Sequence, residues 1–335
     1  MGNTIAIAGA TGAVGTELLK LLEQRNFPLD KLRLLASKRS VGKKLLFRGS
    51  EIAIEELTKE SFTGVDIAFF SAGASRSNEF CPSAAEAGAV VIDNSSAFRM
   101  DEGIPLVVPE VNPEAAFEHK GIIANPNCTT IQMVVALQPL HKAATIKRVI
   151  VSTYQSVSGS GTSGMVELEN QVKNYAAGET LEKNVYPYQI AFNVIPHVDV
   201  FLENGYTKEE MKMVHETRKI MSAPDMMVSA TCVRVPVFRA HSEAINIETE
   251  QKLTVEQATE LLSNAPGIIV KDIHEPGGYP VPHEISETFE TWVGRIREDI
   301  SFKNGLAFWV VADQLYKGAA LNAIQIGELL LSKKG

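Results

Sequence analysis

The first part of the chain alternates between two periods of apolar residues. Residues 4–8 (Thr-Ile-Ala-Ile-Ala) form a short apolar run, and residues 16–24 carry leucines at helical spacing. Apolar runs return at 32–36, 66–72 and 90–92, with a helical stretch at 79–87, and further short runs lie near Leu106 and Ile122. Short apolar runs bounded by turn residues suit strands buried on both faces, and strands alternating with helices imply a parallel sheet. The expected N-terminal domain is therefore a Rossmann-like, doubly wound parallel α/β sheet.

Beyond a helical run at 131–144 the texture changes. Helices are expected at 163–177, 208–221 and 255–264. Long strands are expected at 149–154, 227–237, 242–250, 268–272, 292–301 and 306–311. Consecutive long strands without intervening helices suggest an antiparallel or mixed sheet, hence a C-terminal α+β domain. The last apolar pattern, 314–331, reads as an amphipathic helix that returns to the first domain. The expected division is 1–127, joined by the helix in 314–335, and 128–313.

Three stretches carry candidate chemistry. The first is Gly9-Ala10-Thr11-Gly12-Ala13-Val14-Gly15, set between a strand and a helix, where a dinucleotide-binding turn belongs. Its glycines permit a tight turn and a close approach of backbone to a pyrophosphate at the helix N-terminus, although a plain tight turn needs them too. The second strand ends in Ser37-Lys38-Arg39-Ser40, where an NAD site would carry an acid for the ribose hydroxyl. Hydroxyls and cations suit a 2′-phosphate instead, so NADP is the expected cofactor; a solvated basic turn is the plainer alternative. Ser71-Ala72-Gly73 closes another strand at its carboxyl end, the side on which such sheets bind ligands.

The second stretch is Asn125-Pro126-Asn127-Cys128-Thr129-Thr130, between an apolar strand at 121–124 and the helix at 131–144. A cysteine just ahead of a helix N-terminus sits where backbone N–H groups and the helix dipole favour a thiolate, as a nucleophile requires. The same place also suits a small buried residue at a strand–helix junction. The third is His241, at the turn between two expected strands, a candidate general acid–base for acyl-enzyme redox chemistry beside a nicotinamide. Taken alone it fits a surface or satisfied turn histidine better. The domain boundary near Cys128 would put the thiol in a cleft.

Composition narrows the setting. Across 335 residues the formal charge is −8, which argues against nucleic acid as a partner while leaving room for a local cationic pocket. Three cysteines, Cys81, Cys128 and Cys232, form no CxxC pair and no cluster with histidine, so neither a disulfide framework nor a metal site is expected. Met1-Gly2 has the start of a myristoylation signal, but residue 6 is alanine where Ser or Thr is needed. With no signal-peptide pattern and no membrane-length apolar run, the expected setting is a soluble cytoplasmic one.

Taken together, these residues resemble the aspartate-β-semialdehyde dehydrogenase family over essentially the whole chain. The resemblance is carried, in order, by residues 9–15, 36–40, 95–100 (Ser-Ser-Ala-Phe-Arg-Met), 125–132, 154–155, 209–212 (Glu-Glu-Met-Lys), 234–241 and 312–315. It implies that Cys128 is the acyl-forming nucleophile, His241 the acid–base partner, and Gln155 the residue orienting substrate beside the thiol. It implies further that Arg234 clamps the substrate carboxylate, Glu209 takes its ammonium group, and Arg99 and Lys212 hold phosphate. On spacing alone Glu209 and Lys212 would be an exposed helical pair, and Arg99 a surface cation. For the cofactor it implies Gly9, Thr11, Gly12, Ala13, Val14, Ser37, Arg39, Ser40, Ser71, Gly73, Ser158, Gly159 and Gln314.

The activity implied is NADPH-dependent reductive dephosphorylation of L-aspartyl-4-phosphate to aspartate semialdehyde and phosphate, in lysine, threonine and methionine biosynthesis. A homodimer through the second-domain sheet is implied as well. Two other readings are a different enzyme of the acyl-phosphate reductase kind, acting on N-acetylglutamyl phosphate or on glyceraldehyde 3-phosphate, and a non-catalytic NADP-binding regulator. The first lacks an ammonium group for Glu209. The second has no need for Cys128, His241 or Gln155.

Overall fold

The computed structural model describes residues 3–333, so the Met1-Gly2 start lies outside the described residues. The chain forms two compact units, one ending at Asn127 and taking in the segment from Ala319 onward, the other Cys128–Gly318.

In the first unit, β1 (Thr4–Ala8), α1 (Ala13–Gln24), β2 (Lys31–Ala36), β3 (Lys44–Phe47), β4 (Ser50–Glu56), β5 (Ile67–Phe70), α2 (Ala74–Glu86), β6 (Val90–Asp93) and β7 (Ile122–Ala124) follow one another. They build a seven-stranded sheet in the order β3-β4-β2-β1-β5-β6-β7. All neighbours are parallel except β3, which pairs antiparallel with β4 at one edge. From β1 the order runs outward in both directions, and ligands of such sheets bind at that switch point, beyond the carboxyl ends of the strands. The central strands β1 and β5 are buried on both faces, which is why they read as unbroken apolar runs.

Three local features differ from the sequence expectation. The β3–β4 hairpin was not expected, because its strands are polar and mostly exposed. It turns on Arg48 and Gly49, both at positive φ, as a two-residue hairpin turn requires. Near Leu106 there is no strand, only an isolated bridge to Ala124. Helix α2 also begins five residues earlier than its apolar pattern, directly after Gly73 at φ 85.

The second unit comprises α3 (Cys128–Ala144), β8 (Ile146–Gln155), α4 (Gly161–Ala177), α5 (Lys208–Ile220), β9 (Met227–Arg234), β10 (His241–Thr249), α6 (Val255–Ser263), β11 (Ile268–Val270), α7 (Pro282–Ile285), β12 (Thr291–Glu298) and β13 (Gly305–Ala312). Its six-stranded sheet has the order β11-β12-β13-β10-β8-β9. The sheet is mixed: β8–β9 and β11–β12 are parallel, and the other pairs antiparallel. Strand β8 alternates buried and exposed residues, so one face of the sheet is covered and the other is not. Helix α3 lies on the covered face and is buried from Thr129 to Leu137, too completely to show a helical stripe in the sequence.

The C-terminal helical run is not one amphipathic element. A π-helical turn, Tyr316–Ala320, precedes α8 (Leu321–Ser332), whose buried residues lie on nearly every side. Helix α8 belongs to the first unit and packs on α1 and β6. Arg25 at the end of α1 grips Glu328 with two 2.7 Å hydrogen bonds.

Candidate active site

The glycine turn of the first unit is defined by how little room it leaves. A Cβ on Gly9, at φ 90, would stand 2.4 Å from the Ser71 carbonyl oxygen, and one on Gly15 would stand 2.2 Å from the Gly9 carbonyl oxygen. Only glycine lets β1, β5 and the start of α1 come this close. Gly12 caps α1 and donates its N–H to the Gly9 carbonyl at 3.0 Å. Beside this turn lies a cavity of about 510 Å³ whose walls include Gly9, Thr11, Gly12, Ser37, Arg39 and Ser71. Ala13 and Val14 form the first turn of α1, Ser40 ends the short 3-10 turn Lys38–Ser40, and Gly73 caps α2; these four are not among the residues lining the cavity.

The same walls carry Lys38 and Arg76, which raises the cations to three against one carboxylate, Glu56. Arg76 was missed in the sequence because it sits in the early turn of α2, outside the apolar pattern. A helix N-terminus, a backbone cradle and a cationic rim fit a dinucleotide with an additional phosphate. Also in this unit, Arg99 is almost wholly buried. Its Nε donates to the Asn125 carbonyl and its Nη2 to the Asn94 carbonyl, each at 2.9 Å, so it is not the surface cation that spacing alone suggested.

In the second unit the site assembles around α3 and the carboxyl end of β8. Cys128 is the first residue of α3 and is half-buried, at the positive end of the helix dipole. The π-helical turn crowds it: a Cβ on Gly318 would lie 2.9 Å from the Cys128 Cβ. Helix α3 is tied to β10 by Gln132, whose Nε2 donates to the His241 carbonyl at 3.4 Å.

His241 opens β10 and is fully buried, not a surface turn residue. Its Nδ1 accepts the Ser156 backbone N–H at 3.0 Å and lies 3.0 Å from the Ser156 hydroxyl. A ring that accepts at Nδ1 carries its neutral-form proton on Nε2. That Nε2 has no hydrogen-bond partner among the described residues. Burial, reinforced by the neighbouring Arg234 charge, lowers the imidazole pKa to about 3. Arg234, at the end of β9, donates from Nη1 to the Ser156 carbonyl at 2.7 Å. A Cβ on Gly159 would stand 2.7 Å from that Nη1 and 3.3 Å from the His241 Nε2, so only the bare backbone of Gly159 lets both side chains pack this close to it.

A second set of contacts joins β8 to α5. Gln155 donates from Nε2 to Glu209 at 3.1 Å, and Lys212 reaches Glu209 at 3.0 Å and Asp199 at 2.8 Å. Burial works against the Lys212 charge, but the two carboxylates outweigh it and raise its pKa. For Asp199 likewise, Lys212 overcomes the effect of burial and the pKa is lowered. Glu209 and Lys212 are thus a mostly buried network, not an exposed helical pair. Ser158 meets the Ser156 hydroxyl at 3.0 Å and accepts a hydrogen bond from the Gln314 amide, whose Oε1 in turn takes the Ala240 N–H at 2.7 Å.

The structure therefore brings Cys128, Gln155, Ser158, Gly159, Glu209, Lys212, Arg234, His241 and Gln314 into one unit, and the glycine turn, the Ser37–Ser40 cluster, Ser71, Gly73 and Arg99 into the other. Ser156, Asp199, Gly318 and Gln132 were not singled out from sequence. Ser156 had one available signal, its place directly after Gln155. Cys81 and Cys232 are both buried, and burial raises both thiols, as ordinary packing would. Among the described residues no cluster of ligating side chains could hold a metal ion, and no helix is long and apolar enough to cross a membrane.

Comparison with known proteins agrees with this geometry. Residues 4–119 match the model of the semialdehyde dehydrogenase NAD binding domain, and residues 137–317 that of the semialdehyde dehydrogenase dimerisation domain. The aspartate-semialdehyde dehydrogenase of Aquifex aeolicus is 57% identical, covering 99% of this chain and 99% of its own. That of Bacillus subtilis is 52% identical, covering 98% and 97%. The solved structure of aspartate semialdehyde dehydrogenase II from Vibrio cholerae, complexed with ASA, superposes with a TM-score of 0.96 at 49% identity over 99% of both chains. The Candida albicans enzyme, solved with NADP, superposes with a TM-score of 0.79 at 27% identity over 100% of this chain and 99% of its own.

Proposed function

Because this chain belongs to the aspartate-semialdehyde dehydrogenase family, we propose that it is the NADP-dependent oxidoreductase that converts L-aspartyl-4-phosphate to aspartate semialdehyde and phosphate, reversibly, through an acyl thioester on Cys128. The observation that carries the reading is the Cys128–His241–Arg234 arrangement. A cysteine opens a helix, a buried histidine has an Nε2 with no hydrogen-bond partner among the described residues, and an arginine packs beside that Nε2 against Gly159. The named relatives favour this substrate over other acyl phosphates.

In the biosynthetic direction the Cys128 sulfur attacks the acyl carbon and phosphate leaves, giving the thioester. Arg234, held by the Ser156 carbonyl, takes the substrate carboxylate through its planar fork. Glu209, held by Gln155, takes the ammonium group, and Gln155 orients the acyl carbon beside the thiol. Arg99 and Lys212 are the cations assigned to phosphate. The residues lining the cavity beside the glycine turn would hold NADPH, which when bound would supply the hydride for the thioester; Lys38 and Arg39 suit its 2′-phosphate. Ser158, Gly159 and Gln314 would contribute to holding its nicotinamide.

His241 then governs the proton. The positive charge of Arg234 is one of the two causes that keep the free imidazole neutral. A substrate carboxylate on Arg234 cancels that charge, so substrate binding raises the ring's affinity for a proton at the moment one is needed. The protonated ring gives its Nε2 proton to the departing sulfur as the thiohemiacetal oxyanion collapses to aldehyde and thiol. The acting species is a homodimer joined through the open face of the second-unit sheet. Three thiols, with no disulfide among the described residues, suit a reducing, cytoplasmic setting.

The experiment is an absorbance assay of nicotinamide reduction with aspartate semialdehyde and phosphate, with NADP or NAD, in the parent and Cys128→Ala. Phosphate-dependent NADPH formation that disappears in the variant is expected, with NAD a poorer acceptor. Turnover by Cys128→Ala, or turnover only with N-acetylglutamate semialdehyde, would sink the reading.

A further inference from the structure

Glu243 is a carboxyl with no part in the reaction described above, and it sits close to the machinery. It lies two residues along β10 from His241, so both side chains point to the helix-covered face of the sheet. Its strand neighbours are Thr153 on β8 and Val310 on β13. It is fully buried, and neither carboxylate oxygen finds a hydrogen-bond donor within bonding geometry. The side-chain amide of Gln132, from α3, neighbours it and favours its charged form against the effect of burial. Gln132 is itself fully buried, its Nε2 donates to the His241 carbonyl, and its Oε1 has no partner.

An ionised carboxylate with no donor in such a place is costly, and burial drives the Glu243 pKa well above the ordinary carboxyl value. The neutral acid changes the account of the whole cluster. Its O–H is a donor beside an amide whose oxygen lacks one, so a single proton relieves unpaired acceptors on both residues. A neutral acid is also a weaker acceptor than a carboxylate, so it leaves the Gln132 N–H on the His241 carbonyl and does not draw it away.

Gln132 lies one helical turn from Cys128, on the same helix and roughly the same side. Its bond to the His241 carbonyl is therefore a brace between the start of α3 and the start of β10, the two points from which the thiol and the imidazole project. We propose that Glu243 is a positioning residue for the Cys128–His241 pair, acting through the Gln132 amide that braces α3 to the His241 carbonyl. The assignment rests on Cys128 and His241 being the reacting pair.

The test compares kcat and KM of the phosphate-dependent reaction in the full-length protein and in Glu243→Gln, Glu243→Leu and Gln132→Met, with Cys128→Ala alongside. Glutamine keeps a neutral donor and acceptor at this place, so Glu243→Gln should stay within about threefold of the parent kcat, whereas Glu243→Leu should lose on the order of 10–100-fold in kcat with KM nearly unchanged. Gln132→Met should reproduce that kcat loss, and it carries the test alone if Glu243→Leu does not fold. A merely structural carboxyl would lower the yield of active protein and leave kcat per folded site intact. Glu243→Gln as slow as Glu243→Leu, or Gln132→Met as fast as the parent, would overturn the proposal. Those results count against it only where Cys128→Ala is inactive; an active Cys128→Ala overturns the underlying assignment instead.

Discussion

His241 shows how a single buried side chain can carry a pH dependence for the protein. Its pKa is about 3 in the folded chain, lowered by burial and by Arg234, against an ordinary value of 6.5. Between those values the unfolded chain binds a proton that the folded chain refuses. The stability contributed by the neutral ring is thus fully present above 6.5 and is lost as pH falls toward 3, at up to about 1.4 kcal/mol per pH unit. Glu243 acts with the opposite sign, since its raised pKa gives stability present below 4.5 and lost as pH rises through the folded value. Urea unfolding at pH 6.5 and pH 5 should show the parent losing about 2 kcal/mol more than His241→Gln over that interval. Equal losses in the two proteins would show that the folded imidazole titrates normally. The sequence made His241 conspicuous but not buried, because burial here comes from long-range pairing of β10 between β8 and β13. Glu209 and Lys212 were legible as a pair for the same reason that their environment was not: spacing along a helix is local, and the Asp199 and Gln155 contacts are not.

Among the elements, the π-helical turn 316–320 is the one that sequence periodicity could not announce. It interrupts what reads as a single helix, and such turns are frequent at functional sites. Here it brings Gly318 against Cys128, and the atoms a Cβ would strike are the Cβ and Cα of Cys128, which cannot swing aside as the tip of a long side chain could. Gly318→Ala should therefore displace the start of α3, costing about 1–3 kcal/mol of stability and on the order of a hundredfold in kcat. Full activity in Gly318→Ala, measured at a temperature where it is folded, would mean the start of α3 tolerates the shift. By contrast, β1, β5 and the glycine turn were readable almost residue by residue, since a strand buried on both faces writes itself as an apolar run. The β3–β4 hairpin stayed hidden because its exposed strands lack that signature and its turn uses Arg48-Gly49 where Asn-Gly would have been recognised.

For the molecule as a whole, the open face of the second-unit sheet is the surface to test. Ile150, Tyr154 and Met227 lie on it, each more than a third exposed, with the Tyr154 ring packed on Trp309 at 5.4 Å between centroids. A charge there should oppose self-association: Tyr154→Asp is expected to weaken the dimer about a hundredfold, read by analytical ultracentrifugation across a dilution series. A parent protein that sediments as a single chain, or a variant with unchanged association, would remove this face from the interface. The division of the chain has a different consequence, one of timing. Helix α8 completes the first unit, where Asn322 bonds the Val107 carbonyl and the Asn125 side chain, and Gly327 lies close against Phe27 and Phe69. The residues it covers leave the ribosome early, yet α8 is translated only after the entire second unit. Every nascent chain thus carries its first unit without α8 until the whole of the second unit has been made.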